Sequence, residues 1–507
     1  MVEIHSSRHF YVHARNDASS VFTPSYYHRG SIFKIGGRRM YITNHDKIQD
    51  VKNTPYFLSN EFIESNASAF IDVYDPATNS VVTRVPKMPR EEMQEAIIFR
   101  FVQLIKDNHD RLAASITLEQ GKTLADAKGD VLRGLQIAAM LAALVQLQQT
   151  HAASIYVSPT GKGTGTIDAP YGSIQTAVTA AKAGDTIFLR AGTYSPTTNI
   201  QIKTSGTVTS PIRLRSYNDE KVIIDGEALP GTPYGLDVSL PNGERGIIHI
   251  EGGNYWYFYN LELINGPYGI YSRDSSHNYY ERISTHDNYE SGFQIQGVAV
   301  NNTVIYLDSY RNRDPRKNGE SADGFALKEG SGVGNSIRNS RLWDNVDDGL
   351  DLYLFGSPVT IEEVYAWGNG FNRWGFTEFN GDGNGFKLGI TDNPPANHIV
   401  RNSIAFSNAK KGFIDNGNPG SLTFERNTAW NNGDNGFNMR SSTSTLKSNI
   451  AALNTNAQVS LITGSKSSGN SWDTTTTWSN SSFISVNPST LTGARETNGN
   501  VKARSVL

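Results

Sequence analysis

A glycine that opens an apolar strand recurs through the second half of this 507-residue chain, at Gly269, Gly292, Gly324, Gly349, Gly385, Gly412 and Gly436. The intervals are 23, 32, 25, 36, 27 and 24 residues, a base period in the middle twenties broken by two insertions. Between the markers a second apolar stretch recurs, as in NNTVIYLDSY, GNSIRNSRLWDN, VTIEEVYAWGN, NHIVRNSIAFSN and SLTFERNTAWNN, each ending in Asn or another small polar residue. Units this short and β-rich leave no room for a helix in each, and so predict an all-β solenoid, a parallel β-helix, over a leucine-rich repeat or a propeller. Asparagines stacked at the turns would satisfy buried backbone groups from rung to rung. Insertions on a solenoid emerge as loops, commonly on its binding face.

Both long intervals flank an acidic stretch. The phrases ESADGFALK (320–328), WDNVDDGLDLY (343–353) and GDGNGFKLG (381–389) share one skeleton, a polar turn running into Gly324-Phe325, Gly349-Leu350 and Gly385-Phe386. Stacked as successive rungs, they bring Asp323, Asp347, Asp348, Asp351 and Lys387 to one face of parallel strands. Four carboxylates are a ligand set for a hard cation such as calcium, and Lys387, at a strand position with Phe386 and Leu388 turned the other way, is a candidate base. Asp-Gly turns that simply turn, and a lysine that is simply solvated, are the alternatives. Lys328, Arg313, Arg316, Lys410 and Lys411 are candidate binding cations for an anionic substrate, with surface charge as their alternative role. Trp367, Phe371, Trp374 and Phe376, read as part of the long insertion, form either a ligand-facing aromatic wall or the packing of their own loop.

Composition removes other classes. The chain has no cysteine, which excludes disulfides, thiolate metal sites and a cysteine nucleophile. A net charge of −3 with 19% charged residues gives no sign of a nucleic-acid or membrane-surface protein, and no apolar run reaches spanning length. The first residues show no apolar core behind a basic end, so no secretory signal is read there.

Residues 1–57 have no sustained period and are unassigned. From about 57 the chain reads as short strands broken at Asp75-Pro76 and stopped at Pro86, then as helix from Pro89 with breaks at Asn108 and Gly121. This part, 58–137, resembles the amino-terminal part of aldehyde dehydrogenases of the methylmalonate-semialdehyde type, in the phrases DPATNSVVTRVP, ITLEQGKTLADAKGDV and RGLQ. That family's chemistry needs a cysteine nucleophile, so 58–150 is expected to be a non-catalytic fused or misjoined fragment with exposed apolar surface. The main domain is expected at 153–507. It opens with a strand and a short helix, Ser173 to Ala183, with Ile174, Ala177, Val178 and Ala181 on one side to cover the end of the stack. The tail, about 473–507 and rich in Ser, Thr and Asn, is expected to pack as a loose cover.

Residues 154–490 resemble the pectate lyases of polysaccharide lyase family 9, in the three acidic phrases, in NHIVRNSIAFSNAKKGF and in the capping phrase SIQTAVTAAKAGDTIFLRAGTY. The resemblance implies a right-handed parallel β-helix, calcium held by Asp323, Asp347, Asp348 and Asp351, and Lys387 as catalytic base. It implies a monomeric, extracellular enzyme that cleaves α-1,4-polygalacturonate by β-elimination to unsaturated products. A non-catalytic glycan-binding β-helix and a glycoside hydrolase on the same fold are the alternative readings.

Overall fold

The marker glycines sit where no side chain fits. A Cβ on Gly324, Gly349, Gly385 or Gly412 would stand 2.7 Å from the carbonyl oxygen of the marker glycine on the next rung, and 2.8–3.0 Å from the amide nitrogen of a ladder asparagine. The period in the sequence is therefore a column of close approaches. This is a computed structural model. It describes residues 152–501, isolated positions at 231, 234, 237, 239, 393 and 497 excepted, together with 101–102, 104–149 and six short strands before them.

Two compact units divide at Gln146 and Leu147. In the first, Ile32–Ile35 pairs with Arg38–Tyr41, Tyr56–Leu58 with Glu61–Ile63 and Phe70–Tyr74 with Val81–Pro86, all antiparallel. The helices run His109–Gln120 and Leu124–Gln149, with Asn108 before the first and Gly121, at φ 66°, closing it, so both expected breaks are present. The helix start expected at Pro89 lies outside the described residues. Among the described residues of this unit Ala113, Ala127 and Val131 form a buried cluster, whereas Leu118 is 86% exposed and Phe101 56% exposed.

The second unit is a parallel β-helix. One sheet has ten strands in chain order: Ile200–Ile202, Ile248–Glu251, Ile270–Arg273, Phe293–Val298, Phe325–Ser331, Leu350–Asp351, Phe386–Lys387, Phe413–Ile414, Phe437–Met439 and Val459–Leu461. A twenty-stranded sheet closes the remaining sides, and every strand pair within both sheets is parallel. Sharp corners separate its strands. Asn339, Glu363, Asn402, Arg426 and Ser448 hold them with φ between 47° and 57°, so the corner column tolerates residues that seldom adopt that conformation. Inside, Ile, Leu and Phe columns fill the coil, with Phe386, Phe413 and Phe437 stacked at 4.6 and 4.8 Å.

The asparagine stack is present as a ladder. Asn288, Asn312, Asn345, Asn369, Asn408, Asn432 and Asn454 each accept, through Oδ1, from the backbone N–H of the ladder residue on the preceding rung. Helix Ile174–Ala180, capped by Ser173, buries Ile174, Ala177 and Val178 over one end, and Ala181 just beyond it is buried too. The tail is a tighter cover than expected and lies along the outer face of the coil, not over its end. Trp478, Phe483, Leu491 and Val501 pack on an outer stack of Trp343, Trp367, Phe406 and Trp430, while Arg341 donates to the carbonyls of Leu491 and Gly493.

Candidate active site

Strand register builds the site. Ala326 pairs with Asp351, Asp351 with Lys387 and Lys387 with Ile414, so residues 25 and 36 apart in sequence become lateral neighbours. Phe386 and Leu388 point into the core, and Lys387 therefore points out of it, as alternation requires. Asp323, Asp347 and Asp348 come from the turns just before the marker glycines. Their carboxylate oxygens lie within 4.8 Å of one another, and all three side chains are buried.

Two lysines lie against this cluster. Lys387 Nζ is 2.9 Å from Asp382 Oδ2, 3.2 Å from Asp348 Oδ2 and 3.6 Å from Asp351 Oδ2. Lys328 Nζ bridges Asp323 Oδ2 at 2.7 Å and Asp351 Oδ2 at 2.9 Å, so it belongs to the acidic centre and not to the outer surface. Asp382 was not singled out in the sequence although it stands in the GDGNGFKLG phrase. Its backbone N–H donates to Asp347 Oδ1 at 2.6 Å, which fixes the turn that presents it.

The electrostatics follow from burial and crowding. Burial pushes Asp348 up to about 7 and Asp323 up to about 6, and raises Asp347 with Asp348 and Asp323 as charged neighbours. Asp351 is buried as well, but Lys328 and Lys387 outweigh that and hold it below the usual range. Burial works against the Lys387 ammonium, yet Asp351, Asp348, Asp347 and Asp382 together keep its proton on well above the ordinary lysine range.

The donor set fits a hard cation. Asp351 Oδ1 and Asp348 Oδ2 are buried without a hydrogen bond among the described residues; the latter is within ion-pair distance of Lys387 but outside hydrogen-bond geometry. Unpaired carboxylate oxygens beside a cluster of three acids are what an oxygen-binding cation would satisfy.

A cleft of about 590 Å³ lies over the centre and is lined by Asp351, Asp382, Lys328 and Lys387, and by Arg245, Tyr268, Gln294, Arg316, Lys317 and Tyr353 among others. Of the candidate binding cations, Lys328 and Arg316 line it. Arg313, Lys410 and Lys411 are not among its lining residues; Arg313 lies over the Tyr289 ring at 4.3 Å and Lys411 pairs with Asp434 at 2.6 Å. Trp367 is not a ligand-facing residue, being buried between Trp343 and Phe406 at 5.1 and 5.5 Å, whereas Phe371 is exposed. Arg245, Tyr268 and Lys317 were missed because they come from loops, which no periodicity places.

Fold and site together define a parallel β-helix enzyme with an acid-and-lysine centre in a surface cleft. The family described as Pel9A-like, right-handed β-helix region, matches residues 155–456. Pectate lyase PEL9 of Emericella nidulans is 58% identical over 377 residues, covering 70% of this chain and 92% of that protein. The crystal structure of pectate lyase Pel9A superposes with a TM-score of 0.60 at 33% identity, covering 71% of this chain and 90% of that one. The chain belongs to the Pel9A-like β-helix family and is a polysaccharide lyase. The aldehyde dehydrogenase family matches residues 94–179. A probable methylmalonate-semialdehyde/malonate-semialdehyde dehydrogenase of Drosophila pseudoobscura pseudoobscura is 42% identical over 135 residues, which is 22% of this chain and only 26% of that protein.

Proposed function

We propose that the protein is a calcium-dependent pectate lyase that cleaves α-1,4-polygalacturonate by β-elimination, acting outside the cell. The observation that carries this reading is the lateral pairing of Lys387 with Asp351 at the edge of a buried acid cluster that retains unsatisfied carboxylate oxygens. Asp323, Asp347, Asp348 and Asp351 would hold the cation. When bound, it supplies positive charge that offsets the carboxylates around Lys387 and stabilises negative charge developing beside a uronate carboxylate.

Lys387, in its neutral amine form, takes the proton from C5 of the sugar through Nζ. The C5–H electrons form the C4–C5 double bond, the bond from C4 to the glycosidic oxygen breaks, and that oxygen takes a proton from water. Asp382 and Asp351 orient the amine from either side. The cleft walls exclude part of the solvent and set the sugar against Nζ. A base in this position contributes roughly 10²–10⁴-fold in rate.

The test is incubation with polygalacturonate in calcium and in chelator, followed by ultraviolet absorbance of the products. Absorbing, unsaturated products that form with calcium and not with chelator support the reading. Non-absorbing reducing ends would indicate a hydrolase, and no products with retained binding would indicate a glycan-binding protein.

A further inference from the structure

The cleft has a second charged region that the elimination chemistry does not use. Arg245 and Tyr268 enter its lining from just before strands Ile248–Glu251 and Ile270–Arg273, and Arg316 and Lys317 from the loop that precedes Phe325–Ser331. In strand order Ile248–Glu251 stands five places from Phe386–Lys387. At the usual strand spacing of about 4.8 Å that is on the order of 24 Å along the stack, whereas the Lys317 loop lies nearer the centre, the Asn318 carbonyl accepting from the Asn380 N–H at 3.1 Å.

These cations are not neutralised as others in the cleft are. Arg245 donates to the Leu240 carbonyl at 3.4 Å and to the Tyr271 hydroxyl at 3.2 Å, and Lys317 Nζ reaches Ser321 Oγ at 3.5 Å. Neither makes an ion pair among the described residues. Arg316 is different, since Glu290 Oε1 accepts from its Nε at 2.8 Å and fixes its side chain. Glu290 and Asp314, the acids nearest this group, are buried behind it, so the three cations reach the cleft and the two acids do not. Of the acids in the lining itself, Asp351 and Asp382 are paired with the lysines, while Glu329, whose Oε2 accepts from the Gln296 amide, and Glu320 are exposed and keep their charge. An anion entering here meets fixed, partly desolvated positive charge with Tyr268 and Gln294 beside it to hydrogen-bond hydroxyls.

We propose that Arg245 and Lys317, on a wall stiffened by Arg316, form a second carboxylate-binding region of the cleft that takes uronate groups of sugars beyond the one at the bond that breaks. The enzyme then selects ester-free uronate in that region as well as at the cleavage point. The proposal rests on the reading of the protein as a pectate lyase. Its test uses the full chain and the variants Lys317→Met and Arg245→Gln, with Michaelis kinetics on polygalacturonate and on highly methyl-esterified pectin. Each variant is expected to raise KM on polygalacturonate by roughly fivefold to tenfold with kcat within twofold, the size of a lost charge-assisted contact. The preference for ester-free over esterified substrate should fall by the same factor. Lys317 makes one long side-chain contact, so its variant keeps the wild-type melting temperature and separates binding from folding. Unchanged KM in both variants, a fall in kcat without a rise in KM, or an unchanged preference overturns this binding region. Wild-type protein that leaves polygalacturonate intact refutes the activity itself, an outcome distinct from active enzyme with indifferent variants.

Discussion

Replacing Lys387 by alanine and by arginine separates the charge of this side chain from its basicity. Lys387 is 9% exposed, and its Nζ lies within 3.6 Å of carboxylate oxygens of Asp382, Asp348 and Asp351. Alanine removes both properties. Losing a general base of the usual worth lowers kcat by about 10²–10⁴, or roughly 2.7–5.5 kcal/mol in the barrier. Losing a buried cation leaves Asp348 and Asp351 poorly compensated, and breaking one side of a buried ion pair costs about 3–5 kcal/mol. That cost falls on the metal-free protein, because a cation held by the same carboxylates replaces the missing charge. Lys387→Ala should therefore melt lower than wild type in chelator and close to it in calcium, while remaining inactive in both. Arginine keeps the charge but cannot release its proton in any accessible range. Lys387→Arg should recover much of the metal-free stability and almost none of the turnover. Absorbance of unsaturated product gives the rates and thermal melts in calcium and chelator give the stabilities. More than a few per cent of wild-type turnover in either variant would falsify the assignment of Lys387 as the base.

Three further outcomes are expected. Asp348→Asn should lose the rise in melting temperature that calcium confers on wild type, a rise worth about 2.7 kcal/mol at a hundredfold excess over Kd, and a full calcium shift in the variant places the ion elsewhere. His398 is buried, with Nδ1 accepting from the Val359 N–H at 3.2 Å, and burial lowers it from 6.5 to about 3. Below pH 6.5 the unfolded chain therefore takes a proton that the folded one refuses, and stability falls as pH drops from 6.5 towards 3. At pH 4.5 this amounts to about 2.7 kcal/mol, so denaturant titrations at pH 7.5 and 4.5 should show wild type losing that much more than His398→Gln; equal losses would exonerate the histidine. Finally, protein lacking residues 1–146 should keep its kcat and KM on polygalacturonate within twofold, because the β-helix carries its own cap and core; loss of folding on truncation would show that the first unit supports the second.

What was legible in the sequence was what the stacking itself dictates. The glycine markers, the asparagine turns and the short apolar strands each answer a contact between one rung and the next, so their recurrence gave the fold and the register that gathers Asp323, Asp347, Asp348, Asp351 and Lys387. Loops obey no such constraint. The insertion before Gly324 carries Arg316 and Lys317 into the cleft, and nothing in its order of residues separates them from Arg313, which turns onto Tyr289 instead. Trp367 was misplaced for the opposite reason. It ends the strand Tyr365–Trp367 and belongs to the outer aromatic stack, while the insertion begins after it. Lys328 resembled a surface cation because its two acidic partners, Asp323 and Asp351, are close only through the register of adjacent rungs.

The residue before each marker glycine shows why turn and site are hard to tell apart in sequence. Asp323 Oδ1 accepts from the N–H of Asp348, Asp348 Oδ1 from that of Asn384, Asn384 Oδ1 from that of Lys411 and Asn435 Oδ1 from that of Ala457. The position thus has one structural duty on these four rungs, and either an amide or a carboxylate oxygen performs it. Where the residue is aspartate, a second oxygen remains, and on the Asp323 and Asp348 rungs that oxygen faces Lys328 and Lys387. The turn reading and the ligand reading of these residues are accordingly compatible, each resting on a different oxygen of the same carboxylate. The β-helix gains its centre by exchanging asparagine for aspartate at two rungs of a ladder it needs in any case, which is also why Asp348→Asn should keep the ladder bond and lose only the charge.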